Sequence, residues 1–255
     1  MGWIFNQPEK IVPTDEWDFY FCHVDDKPSS IMVDLGRRNA IPASGFPNLA
    51  FLRLYMQHPR PDGLSSDTEY EALSAIEKML EAAWEKAGCV YVGRKTGDTV
   101  RDFYLYVADL AKAEKVSRSV LKSVPAYEFE FGGRPDESWS VYREFLFPDA
   151  NAYRSILNRR VIGSLQEHGD DLSKVRAIDH RVYMKSPALA AKFQDRVQGL
   201  GFEVDGSGDS EGGEVWIDFS RAEDLKDIDA VTAELEMIAE EFGGSYDGWA
   251  TAVIR

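Results

Sequence analysis

The residue types best suited to catalysis or metal binding are few in this sequence, and their spacing supports neither task. Four histidines and two cysteines are present: His23, His58, His168, His180, Cys22 and Cys89. No histidine has a partner at the spacing of a zinc motif, and two cysteines are too few for a cysteine zinc site. Cys22 and His23 precede two acidic residues, but neighbours on a strand point to opposite faces and cannot easily share an ion. We therefore predict no catalytic residues, no metal site and no cofactor, and a protein that is not an enzyme.

Two further segments have weak signatures that we interpret as structural. The segment Asp205 to Asp209 resembles the start of a calcium loop in composition, but it lacks the later ligands and is predicted to be a hairpin connection. His180 shares its strand parity with Ile178 and Val182, which favours a hydrogen-bonded histidine in the core.

The aromatic and acidic residues near the end of the chain are the more informative group. In a strand, Trp249 and Asp247 would face one way, and Tyr246 and Gly248 the other. A glycine inside a strand suggests a bulge or the close approach of another backbone. If helices cover the opposite side, the open face carries Trp249 together with residues of earlier strands, namely Trp216, Asp218 and Tyr183.

The charge distribution bears on what such a face could bind. Residues 201–255 hold 15 acidic and three basic residues, a net charge of −12, which leaves −3 for residues 1–200. Exposed aromatics on a sheet are similar to the platforms on which RNA bases stack, but an acidic field repels phosphates and attracts basic proteins. We therefore predict a protein partner with a basic surface and no direct nucleic acid. Direct RNA binding, an acidic charge that serves only solubility, and aromatics that only complete the core remain alternatives.

The elements that would position these residues follow one plan twice. In the first half, a strand hairpin starting at Trp17 precedes a loop from Asn39 to Pro47, and a β-α-β-β-α-β succession then runs from Leu49 to Phe131. Its first helix begins at Ser66 with the spacing of a capping box to Glu69.

The second half begins with a linking helix from Tyr153 to Leu165 and then repeats the succession up to the last strand, residues 245–254. We therefore predict an α+β protein with two domains, residues 1–149 and 150–255. Each is expected to be a ferredoxin-like, four-stranded antiparallel sheet with helices packed on one face.

The C-terminal half resembles the bacterial regulator of ribonuclease E activity B family. The matching stretches are Gly169-Asp170-Asp171, Asp179-His180, Leu200 to Val204, and Phe242 through Tyr246-Asp247-Gly248-Trp249. The resemblance implies an acidic protein that binds the basic scaffold part of ribonuclease E and changes which RNAs are degraded. From the open face and the closing strand together, we predict the partner-binding residues Tyr246, Asp247, Trp249, Trp216 and Asp218.

The N-terminal half resembles the bacterial family of unknown function numbered 695. The matching stretches are Trp17 to Tyr20, Asn39 to Pro47 and Tyr127 to Phe131. This resemblance implies no activity. The alternative hypothesis for this half is therefore a small-ligand or enzymatic domain, with a pocket near the Asn39–Pro47 loop and the strand of Arg53 and Tyr55.

The sequence also predicts a cytoplasmic location and no membrane association. No apolar run approaches the roughly 20 residues that a membrane-spanning helix needs. Residues 1–7 lack the basic start and apolar stretch of a secretory signal, and two cysteines suit reduced thiols.

Overall fold

The computed structural model describes residues 16–255, so the interpretation of residues 1–7 lies outside the described part of the chain. Contacts divide the chain into an N-terminal unit, residues 1–152, and a C-terminal unit, residues 153–255.

The described part of the N-terminal unit contains one sheet and two α-helices. Its elements are β1 (Trp17–Val24), β2 (Lys27–Asp34), β3 (Asn48–Tyr55), α1 (Asp67–Ala87), β4 (Val90–Gly97), β5 (Val100–Val107), α2 (Leu110–Leu121) and β6 (Phe129–Pro135). The predicted hairpin forms between β1 and β2, where Asp25 and Asp26 have φ angles of 51° and 60°. Positive φ at both positions belongs to a turn whose twist matches that of the strands.

Helix α1 shows how local chemistry sets the boundaries of these elements. The side chain of Ser66 accepts a hydrogen bond from the Glu69 amide, and Gly88 ends the helix with φ 76°. The Glu69 carboxylate does not complete the reciprocal bond of a capping box. It accepts instead from the backbone amides of Gln57 and His58, at 3.2 and 2.8 Å, and so ties α1 to the end of β3.

The strands pair in the order β1-β2-β4-β5-β3-β6, and every pair is antiparallel. Both helices pack on one face, where Leu52 and Phe103 of the sheet meet Leu80 of α1 and Leu121 of α2. The sheet therefore has six strands rather than the predicted four. The hairpin of β1 and β2 joins it through β4, a pairing that strand periodicity alone does not specify.

Part of the other face of this sheet is covered by residues 136–147, which we call the cover segment. Trp139 is fully buried and stacks on Tyr106 of β5, with ring centroids 3.9 Å apart. Asp136 accepts a hydrogen bond from the Tyr106 hydroxyl at 2.6 Å and one from the Ser140 amide at 2.8 Å. The segment ends in a π-helical turn, Val141–Leu146.

The C-terminal unit contains a four-stranded sheet and three α-helices. Its elements are α3 (Ala150–Glu167), which spans the boundary, β7 (Arg176–Met184), α4 (Pro187–Gly199), β8 (Glu203–Asp209), β9 (Val215–Glu223), α5 (Ile228–Glu241) and β10 (Ser245–Ala250). The strand order is β10-β7-β9-β8, again antiparallel throughout. Val182 and Phe219 of the sheet pack against Phe193 of α4 and Leu235 of α5.

Both units thus contain the predicted β-α-β-β-α-β succession, and the α+β class with antiparallel sheets is confirmed. The narrower ferredoxin-like assignment stays a prediction. The closing strand ends at Ala250, earlier than predicted.

Candidate protein-binding surface

The closing strand β10 departs from regular alternation at Asp247. Tyr246 and Trp249 lie opposite two helix-facing residues of β7, Val182 and His180. The register shifts between Tyr246 and Gly248, so Asp247 is the extra residue of a β-bulge. Gly248 has φ 139°, a conformation that residues with a side chain rarely adopt.

The bulge changes which side chains the open face carries. Tyr246 and Trp249 both face the helices, and Asp247 is exposed on an edge strand. The prediction that Trp249 lies on the open face with Trp216 is therefore wrong, as is the prediction that Tyr246 and Trp249 face opposite ways. The physical reason is the one inserted residue, which shifts the two-residue period of the strand.

Tyr246 is part of a buried polar cluster. Its hydroxyl lies 2.8 Å from Nδ1 of His180, whose Nε2 is 3.8 Å from Oε1 of Glu223. Burial, and then the negative charge of Glu223, raises the pKa of Tyr246, so its hydroxyl keeps its proton. His180 is buried as predicted, but its Nε2 has no hydrogen-bond partner in the described part of the chain.

Trp249 connects β10 to two helices. Its Nε1 donates to Oδ1 of Asn158 on α3 at 2.8 Å. The Asn158 amide nitrogen in turn donates to Asp229 and Thr232 of α5, at 2.7 and 2.9 Å. Because Asn158 is only 3% exposed, this network is costly to break, and Trp249 is held as a structural anchor.

The open face of the C-terminal sheet is the side without helices. Its centre is formed by two cross-strand pairs, Arg181 with Asp218 and Tyr183 with Trp216. Arg181 binds Asp218 through two parallel hydrogen bonds of 2.6 and 2.7 Å, which raises the pKa of the guanidinium group. The Arg181 guanidinium carbon lies 5.3 Å from the centre of the Trp216 ring. Because both side chains are solvent-exposed, this ion pair contributes little to stability, and its main effect is to hold Arg181 beside the indole.

Trp216 lies over two glycines of the neighbouring strand β8. A Cβ atom at Gly208 would come within 2.8 Å of the indole, and one at Gly206 within 3.5 Å. The segment predicted as a loop, Asp205 to Asp209, lies entirely within β8, so that prediction is wrong. The glycines weaken the local strand signal but make room for a large ring on the adjacent strand.

Negative charge is concentrated on helix α5, on the other side of the sheet. Glu234, Glu240 and Glu241 are exposed around Met237, which is 64% exposed. Residues 153–255 as a whole hold 20 acidic and 12 basic residues, a net −8, against 24 and 17, a net −7, in residues 1–152. The two units therefore have nearly equal net charge. The acidic excess of residues 201–255 is partly offset by the basic residues from α3 to α4 of the same unit.

Within residues 16–255, no three histidine, cysteine or acidic side chains are grouped as a metal ion requires. No helix in that range is long and apolar enough to cross a membrane.

Sequence reasoning missed two residues that shape this unit. Arg181 lies two residues before Tyr183, so the alternation of side chains along a strand would have placed both on the open face. Asn158 gave no such signal, since a polar residue in an amphipathic helix is normally solvated.

Comparisons with known proteins agree with the division into two halves. Residues 15–147 match DUF695, a family of unknown function, and residues 155–251 match the family model described as regulator of ribonuclease activity B. Both resemblances drawn from the sequence are thereby confirmed. No curated protein matches the chain.

Solved structures add little to this. One match is a crystal structure assigned provisionally to a glycine cleavage system transcriptional repressor, at 7% identity over 80% of this chain and 98% of that one. Its TM-score of 0.26 is too low to support an argument about the fold.

Proposed function

We propose that this chain, which belongs to the DUF695 family of unknown function, regulates a ribonuclease by binding it. The reason is that its residues 155–251 match the family model of the regulator of ribonuclease activity B. The match over residues 155–251 is the observation that carries the proposal, since it supports a regulator of ribonuclease activity. The proposed partner is an endoribonuclease of the ribonuclease E type, the mode of action is non-catalytic, and the proposed location is the cytoplasm.

The proposed contact surface is the open face of the C-terminal sheet. Trp216 and Tyr183 form its half-buried aromatic centre, and aromatic side chains dominate the energetics of many protein interfaces. Asp218 belongs to this face and Asp247 to its exposed edge, so both remain proposed contact residues. Tyr246 and Trp249 have internal hydrogen-bond partners, and we propose that they position the sheet instead.

The charge of this face favours a basic partner. Asp179 and Glu203 both lie opposite Ser220 in the register, so they occupy one row of the open face with no basic residue between them. A lysine- or arginine-rich segment that lies across this row and the Trp216 indole would meet complementary charge and an aromatic anchor.

An RNA strand fits the same face less well. Arg181 beside Trp216 resembles a base-stacking arrangement, but single-strand binding needs a basic groove along the phosphates. Asp179, Glu203 and Asp218 would repel that backbone. We therefore propose the protein partner and treat RNA as an outcome of the test.

The test is a titration of the purified full-length chain with the basic scaffold segment of ribonuclease E, at low and at high salt. We expect binding that weakens with salt, and a loss of at least about 10-fold in affinity for Trp216→Ala, the size expected of an aromatic hot spot. Phe21→Ala is the matched control, because Phe21 is also an exposed aromatic, at 67%, but lies in the N-terminal unit.

Equal affinities for Trp216→Ala, Phe21→Ala and the unmodified chain would show that the open face is not the contact surface. Binding that ignores salt would contradict the basic partner. A low-salt gel shift with single-stranded RNA that disappears in Trp216→Ala would favour the RNA alternative. Glu240→Lys, on the exposed side of α5, separates the two sides of the sheet, since it should affect affinity much less than Trp216→Ala does.

A further inference from the structure

The open face of the N-terminal sheet contains a pocket of about 440 Å³. One side is formed by Phe51 of β3 and Tyr104 of β5, and the other by Val141 and Phe145 of the cover segment. The Tyr104 and Phe145 rings meet edge to face, with centroids 5.7 Å apart. The volume falls within the range of small-molecule sites, and the lining is mostly apolar and aromatic, as such sites are.

A paired arginine lies at the polar end of this pocket. Arg53 binds Asp102 through two hydrogen bonds of 2.7 and 3.0 Å, while its own side chain stays 37% exposed. Two of its five N–H donors serve this pair. Asp102 also faces Nζ of Lys95 at 3.7 Å, so one nearly buried carboxylate stands against two cations.

A second arginine lies at the rim. The side chain of Arg134 on β6 is exposed, lines the pocket and makes no ion pair or hydrogen bond with any residue from 16 to 255. Two carboxylates lie opposite Arg53 in the register, Asp102 of β5 and Glu130 of β6, and Oε1 of Glu130 already accepts a bond from the Tyr55 hydroxyl at 2.6 Å. Among the residues that line the pocket, two arginines, Arg53 and Arg134, thus stand against one carboxylate, Asp102, so the lining is locally positive in a unit of net charge −7.

We infer that this pocket binds a small organic anion, a carboxylate or a phosphate attached to a flat apolar ring. The ring would lie against Phe51 and Phe145, and the anion would reach the guanidinium groups of Arg53 and Arg134. Tyr104 can donate a further hydrogen bond, since burial and then the charge of Asp102 raise its pKa and keep its hydroxyl protonated.

This inference goes beyond the proposed function, because the pocket and the proposed partner surface lie in different units. It also corrects the predicted position of the pocket. The strand of Arg53 lines it, but the Asn39–Pro47 loop does not. That loop is instead bonded to the cover segment, through Arg143 to the Ile41 carbonyl at 2.9 Å and through the Trp139 indole to the Phe46 carbonyl at 3.1 Å.

The experiment uses two matched pairs of probes and isothermal titration calorimetry on the full-length chain. Naphthalene-2-carboxylate is compared with the neutral naphthalene-2-carboxamide, and 2-naphthyl phosphate with the neutral 2-naphthol. The first pair tests a carboxylate and the second a phosphate. We expect at least one anion to bind at least about 10-fold more tightly than its neutral counterpart, as expected when a charged hydrogen bond is lost.

Arg134→Gln should remove most of that preference, because the side chain is exposed and can change without disturbing the fold. Arg118→Gln is the control, since Arg118 is also an exposed arginine but lies on α2 and pairs with Glu114. Binding of acid and amide with equal affinity would overturn the inference, as would binding that Arg134→Gln and Arg118→Gln affect equally. Failure of all four probes to bind at millimolar concentration would also overturn it.

Discussion

The two units use the same succession of elements, and within residues 16–255 no α-helix packs on one face of each sheet, but the units treat that face differently. In the N-terminal unit the cover segment folds back over the sheet, and a concave pocket forms beside it. In the C-terminal unit no segment covers the open face, where Trp216 lies beside Tyr183 and over two glycines. A concave face with a few polar groups suits a small molecule, whereas an uncovered aromatic face suits a macromolecule. The connections and a few small residues, rather than the order of strands, therefore decide what each face can bind.

The largest effect is expected from removing the support of the cover segment. Trp139→Ala should destabilise the N-terminal unit by about 3–5 kcal/mol, because it deletes a fully buried ring stacked on Tyr106. Trp216→Ala, on a half-buried ring, should cost about 1 kcal/mol or less. Denaturant unfolding, with hydrogen exchange to locate the change, measures both. Similar losses at the two tryptophans would remove the distinction between a covered and an uncovered face.

A smaller effect is expected at the anchor behind the C-terminal sheet. Asn158→Ala should cost about 1–3 kcal/mol, because it leaves the Trp249 indole N–H without its buried acceptor. Gln166→Ala, an exposed position on the same helix, is the control. A shift of tryptophan fluorescence to longer wavelength should accompany the loss in Asn158→Ala. An unchanged stability would show that Trp249 does not anchor β10.

The cover segment should also respond to acid. Burial alone would raise the pKa of Asp136, but hydrogen bonds from the Tyr106 hydroxyl and from Ser140 and Val141 outweigh it and hold the pKa at about 2. Because this value lies below the ordinary 3.8, the stabilisation is complete above about pH 5 and is lost as the pH falls towards 2.

We expect a loss of about 1 kcal/mol at pH 3 relative to pH 6 from this group. Asp136→Asn should be less stable at pH 6 and should lack this part of the pH dependence. Unfolding free energies of both proteins across the range measure it. Parallel curves for the two proteins would contradict the assigned role of Asp136.

The smallest effect on stability is expected on the open face. Arg181→Gln breaks an exposed ion pair and should change the unfolding free energy by less than about 1 kcal/mol. The substitution should nevertheless weaken the proposed partner complex, because no guanidinium group then lies beside the Trp216 indole. Thermal unfolding measures the change in stability, and the partner titration measures the change in affinity. A large loss of stability would mean that this pair supports the fold rather than the surface.

The sequence predicted the elements that depend on local signals. The capping spacing of Ser66 and Glu69 located the start of α1, and the hairpin predicted to start at Trp17 forms between β1 and β2. Pairing between distant strands was not predictable in the same way. The hairpin of β1 and β2 joins the main sheet because of partners far along the chain, which no local pattern specifies.

The candidate sites were predicted less completely. Trp216 and Asp218 were identified from strand parity and lie on the open face as expected. Trp249 was placed on the wrong side, because parity assumes that no residue is inserted. The position of the pocket near Arg53 was not predictable, because the cover segment forms one of its sides. The position of that segment depends on buried contacts of Trp139 and Asp136 rather than on any motif.

The bulge at Asp247 acts as a phase shift in the strand. Before and after Asp247 the side chains alternate between the two faces of the sheet, but the inserted residue reverses the order. Tyr246 and Trp249, three positions apart, therefore both face the helices. Deletion of Asp247 would place Trp249 two positions after Tyr246, so a regular strand would hold both rings on the helix side without a bulge. The Trp249 indole would keep its acceptor on Asn158, and position 248 would no longer need the positive φ that favours glycine. In this strand, the length of the chain carries as much information as the identity of its residues.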